Sequence, residues 1–252
     1  MKMLLEIRLL FWRKMLETLR APVWIISGFT TPLLYLALFE PLLKGLNSPI
    51  FASGRVLDAF VPGVLTLMAF GAGMGAGWIV IWELQSGVIE RLRVTPASRF
   101  SLLMGTVLKD VVMFIVPALL VVFVAAFLGF QIHPAGLTVL FLLLSLLTAI
   151  VSATSSSLGL ILKDIGSLAA VVTGLQLPLT LLAGVLLPLS IGPVWLQFIA
   201  HANPMYYVVE ASRVLAAGTI GSRQVWESFI VILPLTAITL WWATRVYRKA
   251  VS

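Results

Sequence analysis

Five hydroxyl side chains crowd into six residues at Ser152, Thr154, Ser155, Ser156 and Ser157. A serine becomes a nucleophile when a base within hydrogen-bond reach takes its proton, most often a histidine. The chain has two histidines, His133 and His201. The topology argued below sets both on the outer side of a membrane, while the hydroxyl cluster lies towards the inner half of the fourth span. No Gly-x-Ser-x-Gly elbow occurs either. Hydrogen bonding between packed helices is therefore the expected role of these hydroxyls.

Other chemistries are equally short of parts. There is no cysteine, and no His-x-x-His or Glu-x-x-His spacing that would hold a zinc ion. A phosphate-binding loop needs Gly-Lys followed by Ser or Thr, and no Gly-Lys dipeptide occurs. Any ATP this protein uses must be bound by another polypeptide. A proton or sodium relay wants a carboxylate at mid-depth. Glu40, Asp58, Glu83, Asp110, Asp164, Glu210 and Glu227 are all expected at span ends or in connections.

The stretch that stands out is Glu-Leu-Gln-Ser-Gly-Val-Ile-Glu-Arg-Leu-Arg-Val-Thr-Pro-Ala-Ser-Arg, residues 83–99. It sets acids and arginines between two apolar segments. Val88, Ile89 and Leu92 share one side of a short helix, with Glu90, Arg91 and Arg93 around the others. Thr95-Pro96 ends that helix, because a residue before proline avoids the helical region.

The elements that must carry this stretch are membrane spans. The chain has 252 residues, 60% hydrophobic and 11% charged, with a mean hydropathy of +1.08. Soluble domains are about 45–50% apolar and about 25% charged. Six spans are expected, at 22–43, 57–82, 111–130, 136–162, 165–187 and 225–244, in one all-α membrane domain. Asn47-Ser48-Pro49 and Ser53-Gly54 mark the first loop. Residues 2–20 form an amphipathic helix in the plane of the membrane surface. Leu5, Leu9, Trp12, Leu16 and Leu19 line one face, and Lys2, Glu6, Arg13, Glu17 and Arg20 the other.

All lysines and arginines except Lys44, Arg55, Arg213 and Arg223 fall on one side of this arrangement. The positive-inside rule makes that side the cytoplasm, with both termini in it. The net charge of +7 thus reflects orientation and not nucleic-acid binding. Within the second span, Gly71, Gly73, Gly75 and Gly77 form two overlapping Gly-xxx-Gly pairs that let another helix approach closely. Residues 188–224 are too apolar for an ordinary loop and too broken for a span.

Glu83, Gly87-Val-Ile-Glu90-Arg91-Leu92 and Thr95-Pro96-Ala-Ser98-Arg99 together resemble the first cytoplasmic loop of type-2 ATP-binding-cassette (ABC) exporter permeases. That family's pattern is approximately Glu, Gly-Thr-(Leu/Ile)-Glu-(Arg/Gln)-Leu, then (Thr/Ser)-Pro-(Val/Leu)-Ser-Arg. Val88 stands here for the usual threonine, and Gln85 where a second acid is frequent. Ala183-Gly184 to Pro188-Leu-Ser190, Pro193-Val-Trp195 and Asn203-Pro204-Met-Tyr206-Tyr207 with Glu210 and Arg213 resemble the family's fifth span and outer connection. The resemblance covers nearly the whole chain and is nearest to the drug, antibiotic and glycolipid exporters.

It implies a permease in the plasma (inner) membrane that is not itself an enzyme. Two copies, presumed identical, would pair over two ATP-binding subunits that hold ATP and Mg. It implies that the loop helix is a coupling helix, with Val88, Ile89 and Leu92 in a groove of the ATPase. Glu90, Arg91 and Arg93 would form rim pairs, with Glu83, Gly87 and Arg99 flanking and Pro96 stiffening the exit. It implies short re-entrant outer helices in 188–224, with Pro188, Pro193, Trp195, Asn203, Pro204, Tyr206 and Tyr207 at an outer gate. Arg213 would anchor at outer headgroups. A pathway without buried charge suits an amphipathic, drug-like or lipid-like cargo. The competing readings are a membrane-embedded serine enzyme and a non-transporting structural or regulatory protein.

Overall fold

A computed structural model describes residues 2–44, 56–93, 98–185, 189 and 192–250, which are helical and contain no strand. The helices are α1 (Lys2–Leu19), α2 (Pro22–Lys44), α3 (Val56–Met74), α4 (Ala76–Gln85), α5 (Val88–Arg93) and α6 (Arg99–Phe127). They continue as α7 (Pro134–Leu162), α8 (Ile165–Leu182), α9 (Val194–Ala200), α10 (Pro204–Ala216) and α11 (Arg223–Ala250). Among the described residues, five segments are long and apolar enough to cross a membrane: Phe60–Gln85, Arg99–Phe127, Pro134–Leu162, Ile165–Leu182 and Arg223–Ala250. The first expected span corresponds to α2, in which Gly28–Leu38 is a shorter apolar segment. The loop expected around Asn47 to Gly54 lies outside the described residues.

α7 is the centre of the bundle and packs against α3, α4, α6, α10 and α11. Leu140, Leu143 and Leu144 on α7 meet Leu65, Phe114 and Ile232 in the main core. The outward faces stay apolar, as at Phe123, Phe127 and Ile238, which suits contact with lipid tails. Because those tails are as apolar as leucine, close packing and hydrogen bonds must hold the helices together, not expulsion of water.

One of the two glycine pairs gives close backbone packing. A Cβ on Gly73 would lie 2.7 Å from the Ser152 amide nitrogen and 2.8 Å from the Thr148 carbonyl oxygen. A Cβ on Gly77 would lie 2.5 Å from the Ser155 carbonyl oxygen, and one on Gly159 would lie 2.6 Å from that of Gly77. Gly73 and Gly77 thus seat α3 and α4 backbone-to-backbone on α7. Gly71 has nothing within 4 Å of such a position, and Gly75 only the Ala72 carbonyl oxygen at 4.0 Å. The expectation that all four glycines pack is corrected to Gly73 and Gly77. Residues two apart on a helix do not face the same neighbour.

Gly75 also separates α3 from α4, but it keeps helical angles, φ −60° and ψ −21°, so the break is local and the expected second span continues as Phe60–Gln85. Ser155 serves both sides of the break, donating to the Met74 carbonyl oxygen at 2.5 Å and accepting from the Gly77 amide at 3.1 Å. Thr148 donates to the Ala69 carbonyl oxygen at 3.0 Å. These bonds give the hydroxyl cluster its structural role.

The third span differs most from expectation. It was read as 111–130, whereas α6 begins at Arg99. Ser98 caps the helix by accepting from the Ser101 amide at 3.0 Å, so helix forms as soon as Pro96 is passed. Its 29 residues exceed the ~20 that cross the hydrocarbon. The first turns pack against α1 and α5 at one end of the bundle, with Ser101 and Leu103 buried. α8 ends at Leu182, five residues before the expected end, and Gly184 turns the chain with φ 68°.

Candidate functional site

α5 hangs from α4 by the Ser86-Gly87 turn. Gly87 has φ 71°, a left-handed conformation that side chains with a Cβ resist. The Gly87 amide donates to the Leu84 carbonyl oxygen at 3.2 Å, and the Gly87 carbonyl accepts from the Arg91 amide at 3.2 Å. α4 is thus stopped and α5 started within two residues, which sets the short helix against the end of the bundle.

The orientation of α5 corrects the sequence reading. Ile89 is buried and Leu92 half-buried within the protein's own core, against Leu102, Leu103 and Tyr247 among others. They do not stand free to enter a partner's groove. Glu90 and Arg91 are exposed, with Val88 and Gly87 half-exposed beside them. The physical reason is amphipathic. Behind α5 lies a gap between α1, α4 and α6, and the two larger apolar side chains fill it. Pro96 and the Arg93 side chain lie outside the described residues. Arg99 is the first residue of α6 and is half-buried.

Glu83 is buried as well, with 5% of its side chain exposed. Its Oε2 is 2.5 Å from Lys14 Nζ and its Oε1 3.2 Å from Arg13 Nη2, both on α1. It belongs to a contact between α1 and α4 inside the bundle, not to an exposed docking face.

A second ionic cluster lies on α6. Lys109 and Asp110 are buried and paired with each other, and Ser152 of α7 donates to Asp110 Oδ2 at 2.5 Å. Asp110 therefore lies inside the length of α6 and not in the connection before it. Adjacent opposite charges neutralise one another, and the α7 hydroxyl takes up a further lone pair. The sequence signal was present as Lys-Asp at the head of an apolar run, with a serine cluster elsewhere to receive it. Asp110→Ala is expected to destabilise the protein by about 3–5 kcal/mol, because Lys109 keeps a buried charge without its partner. Lys109→Met with Asp110→Leu should recover most of that loss. Thermal unfolding in detergent measures both.

The other end of the bundle carries α9 and α10. Asn203 caps α10, accepting from the Met205 amide at 3.0 Å, and its Nδ2 donates to the Leu179 carbonyl oxygen of α8 at 2.8 Å. Pro204 occupies the first turn, where its missing N–H costs nothing. Arg213 donates to the Gly184 carbonyl oxygen at 2.6 Å and to Glu210 Oε1 at 2.8 Å. The expected headgroup anchor is instead an internal tie between α10 and the end of α8. Tyr206, Tyr207 and His201 form an aromatic cluster, with ring centroids 4.9 Å apart for His201–Tyr206 and 5.5 Å for Tyr206–Tyr207. Pro193 precedes α9, and Trp195 on α9 is 63% exposed. Pro188 lies outside the described residues.

The histidines do not meet the serines. His133 Nδ1 contacts the Ala216 carbonyl oxygen at 3.1 Å, and His201 Nδ1 that of Gln197 at 2.6 Å. Ser156 and Ser157 donate within α7, to the Ala153 carbonyl oxygen. Neither histidine reaches a hydroxyl of the cluster, and the one carboxylate on it, Asp110, is paired with Lys109.

Residues 5–216 match the family described as ABC-2 type transporter. The putative transport permease ycf38 of Cyanophora paradoxa is 34% identical over 215 residues, spanning 83% of this chain and 73% of its own. The ycf38 permease of Porphyra purpurea is 27% identical over 217 residues, or 85% and 75% of the two chains. The daunorubicin resistance ABC transporter permease protein DrrB1 of Streptomyces coeruleorubidus is 27% identical over 240 residues, or 94% and 84%. The matched region runs from α1 through the bundle, α5 and the capped helix α10. With that helical frame, this chain is a multi-pass membrane protein and belongs to the ABC-2 type transporter family.

Proposed function

We propose that this chain is the membrane subunit of an ATP-driven exporter, moving an amphipathic drug-like or lipid-like substrate out of the cytoplasm or inner leaflet. The observation that carries the reading is α5, a six-residue helix with Glu90 and Arg91 exposed at one end of a bundle whose sequence has no phosphate-binding loop of its own. A separate ABC ATP-binding subunit, in two copies with ATP and Mg, docks there. Glu90 and Arg91 meet complementary charges, with Val88 between them, and fix the register of the contact.

Six spans, counting α2, with both termini cytoplasmic follow from the distribution of lysine and arginine. α9 and α10 then form an outer, re-entrant cap. A second, identical permease copy completes the pathway. One apolar face of α8 supports this, since Leu177 and Leu181, four residues apart, are each more than half exposed. Relatives described as transport permeases and as a daunorubicin resistance permease support export of a small amphipathic compound.

The test is co-purification. Expressed with ABC ATP-binding proteins from its own genome, the chain is expected to retain one of them through detergent extraction, in equal stoichiometry. Recovery of the folded chain without any such subunit would sink the proposal.

A further inference from the structure

The interfacial helix α1 touches both roots of the loop that carries α5. On the upstream side, Glu83 ends the span that leads into α5, and it meets Lys14 at 2.5 Å and Arg13 at 3.2 Å. On the downstream side, Ser98 and Ser101 begin α6. Glu6 Oε2 accepts from the Ser98 amide and from the Ser101 hydroxyl, each at 3.0 Å. Glu6, Arg13 and Lys14 are seven and eight residues apart, which places them on one helix face. Between these two ties, α1 lies directly on α6. A Cβ on Gly105 would stand 2.9 Å from Leu10 Cβ and 3.3 Å from the Phe11 amide nitrogen.

The upstream tie is also shielded. A cavity of about 20 Å³ beside it is walled by Lys14, Glu83, Ile89, Leu92, Thr106 and Tyr247. The Lys14–Glu83 pair therefore sits immediately behind α5, under the two side chains that anchor that helix. Side-chain exposures of 8% and 5% set this pair apart from surface ion pairs, which contribute little. A buried pair tolerates loss of one partner badly.

We propose that α1 is a brace for the coupling loop: Glu6, Arg13 and Lys14 hold both of its roots, so that α1 and α5 move as one body when the ATP-binding subunit pulls. These are positioning residues, since they act on the docking helix through Glu83, Ser98 and Ser101. The opposite face of α1, with Leu5, Leu9 and Trp12 each more than half exposed, is free to slide in the lipid interface. The stroke is thereby delivered to α4 and α6 together, through one lever, and not to a flexible loop. The inference rests on the docking role proposed for α5.

The test uses the permease–ATPase complex in proteoliposomes. Lys14→Glu alone sets a carboxylate against Glu83 and is expected to lower substrate exported per ATP hydrolysed by roughly 10-fold or more, within the usual range of coupling energies. Adding Glu83→Lys restores a pair of opposite charge and should return the ratio to within about threefold of wild type. Glu6→Ala, which removes the acceptor of the Ser98 and Ser101 bonds and so cuts only the downstream tie, should lower the same ratio without loss of the bound ATPase. Because the chain has no cysteine, spin labels at Leu9→Cys with Arg91→Cys, and at Leu9→Cys with Ile161→Cys, report the motion in a permease of otherwise native sequence, labelled before the ATPase is added. Between nucleotide-free and ATP-trapped states the Leu9–Arg91 distance should hold while the Leu9–Ile161 distance changes. A Leu9–Arg91 distance that changes while Leu9–Ile161 holds would overturn the brace, as would unchanged coupling in Lys14→Glu and Glu6→Ala. If the wild-type chain fails to retain any ATPase, the docking assignment itself fails, which is a separate result.

Discussion

Arg91→Glu is expected to weaken retention of the ATP-binding subunit roughly 10- to 100-fold, about 1.4–2.8 kcal/mol of binding, and to reduce export in proportion. The side chain is exposed and makes no contact that holds the bundle, so thermal unfolding of the permease alone should shift by less than about 0.5 kcal/mol. Reversal of charge at an interface places like charges together and disrupts register as well as strength. Glu90→Arg should act in the same direction, and the partner's complementary reversal should rescue either one. Leu92→Ala addresses a different property. Leu92 packs into the permease's own core, so its loss should lower the stability of the permease itself. Equilibrium binding on nanodisc-embedded permease, paired with thermal unfolding, separates the two. Wild-type affinity in Arg91→Glu would remove α5 as the docking element.

Gly77→Val is expected to cost about 3 kcal/mol or more and to lower the yield of folded protein sharply. Its new Cβ would lie 2.5 Å from the Ser155 carbonyl oxygen and 2.8 Å from Leu168 Cδ2. The leucine tip can rotate away, but the carbonyl belongs to the backbone of α7, so the helices must separate and lose their close contact. Gly71→Val is the control. It introduces the same side chain into the same span, where nothing lies within 4 Å, and should remain within about 1 kcal/mol of wild type. Thermal unfolding in one detergent decides between them. Equal losses at Gly71 and Gly77 would mean that helix propensity, and not the contact with α7, governs this segment.

The sequence makes legible what depends on local pattern. Apolar run lengths locate the long helices, and Pro134 and Pro204 stand at the starts of α7 and α10. The charged stretch 83–99 marks the loop helix and its two roots. What composition cannot convey is the direction of a face. Val88, Ile89 and Leu92 share a side of α5 by spacing alone, yet spacing does not say whether that side turns to a partner or inward. The gap left by α1 decides it. Gly71 and Gly73 are equally small, and only the position of α7 distinguishes them. Lys109 and Asp110 look like the polar end of a span because charge is costly in lipid. Their pairing, together with Ser152 from a distant helix, lets α6 continue through them. The ties from Glu6, Arg13 and Lys14 are likewise long-range. The sequence gives an amphipathic surface helix with a charged seam, and the fold directs that seam at the loop.

The central claim is that the chain forms a path through which a separate ATPase drives an amphipathic substrate outward. The direct measurement is substrate movement in sealed proteoliposomes holding the permease and its co-purifying ATPase, with ATP supplied to the side bearing α5. The account predicts ATP-dependent transfer of a fluorescent amphiphile away from that side, lost when the ATPase cannot hydrolyse ATP and reduced in Arg91→Glu. Transfer that proceeds equally without ATP, or movement toward the α5 side, would contradict it.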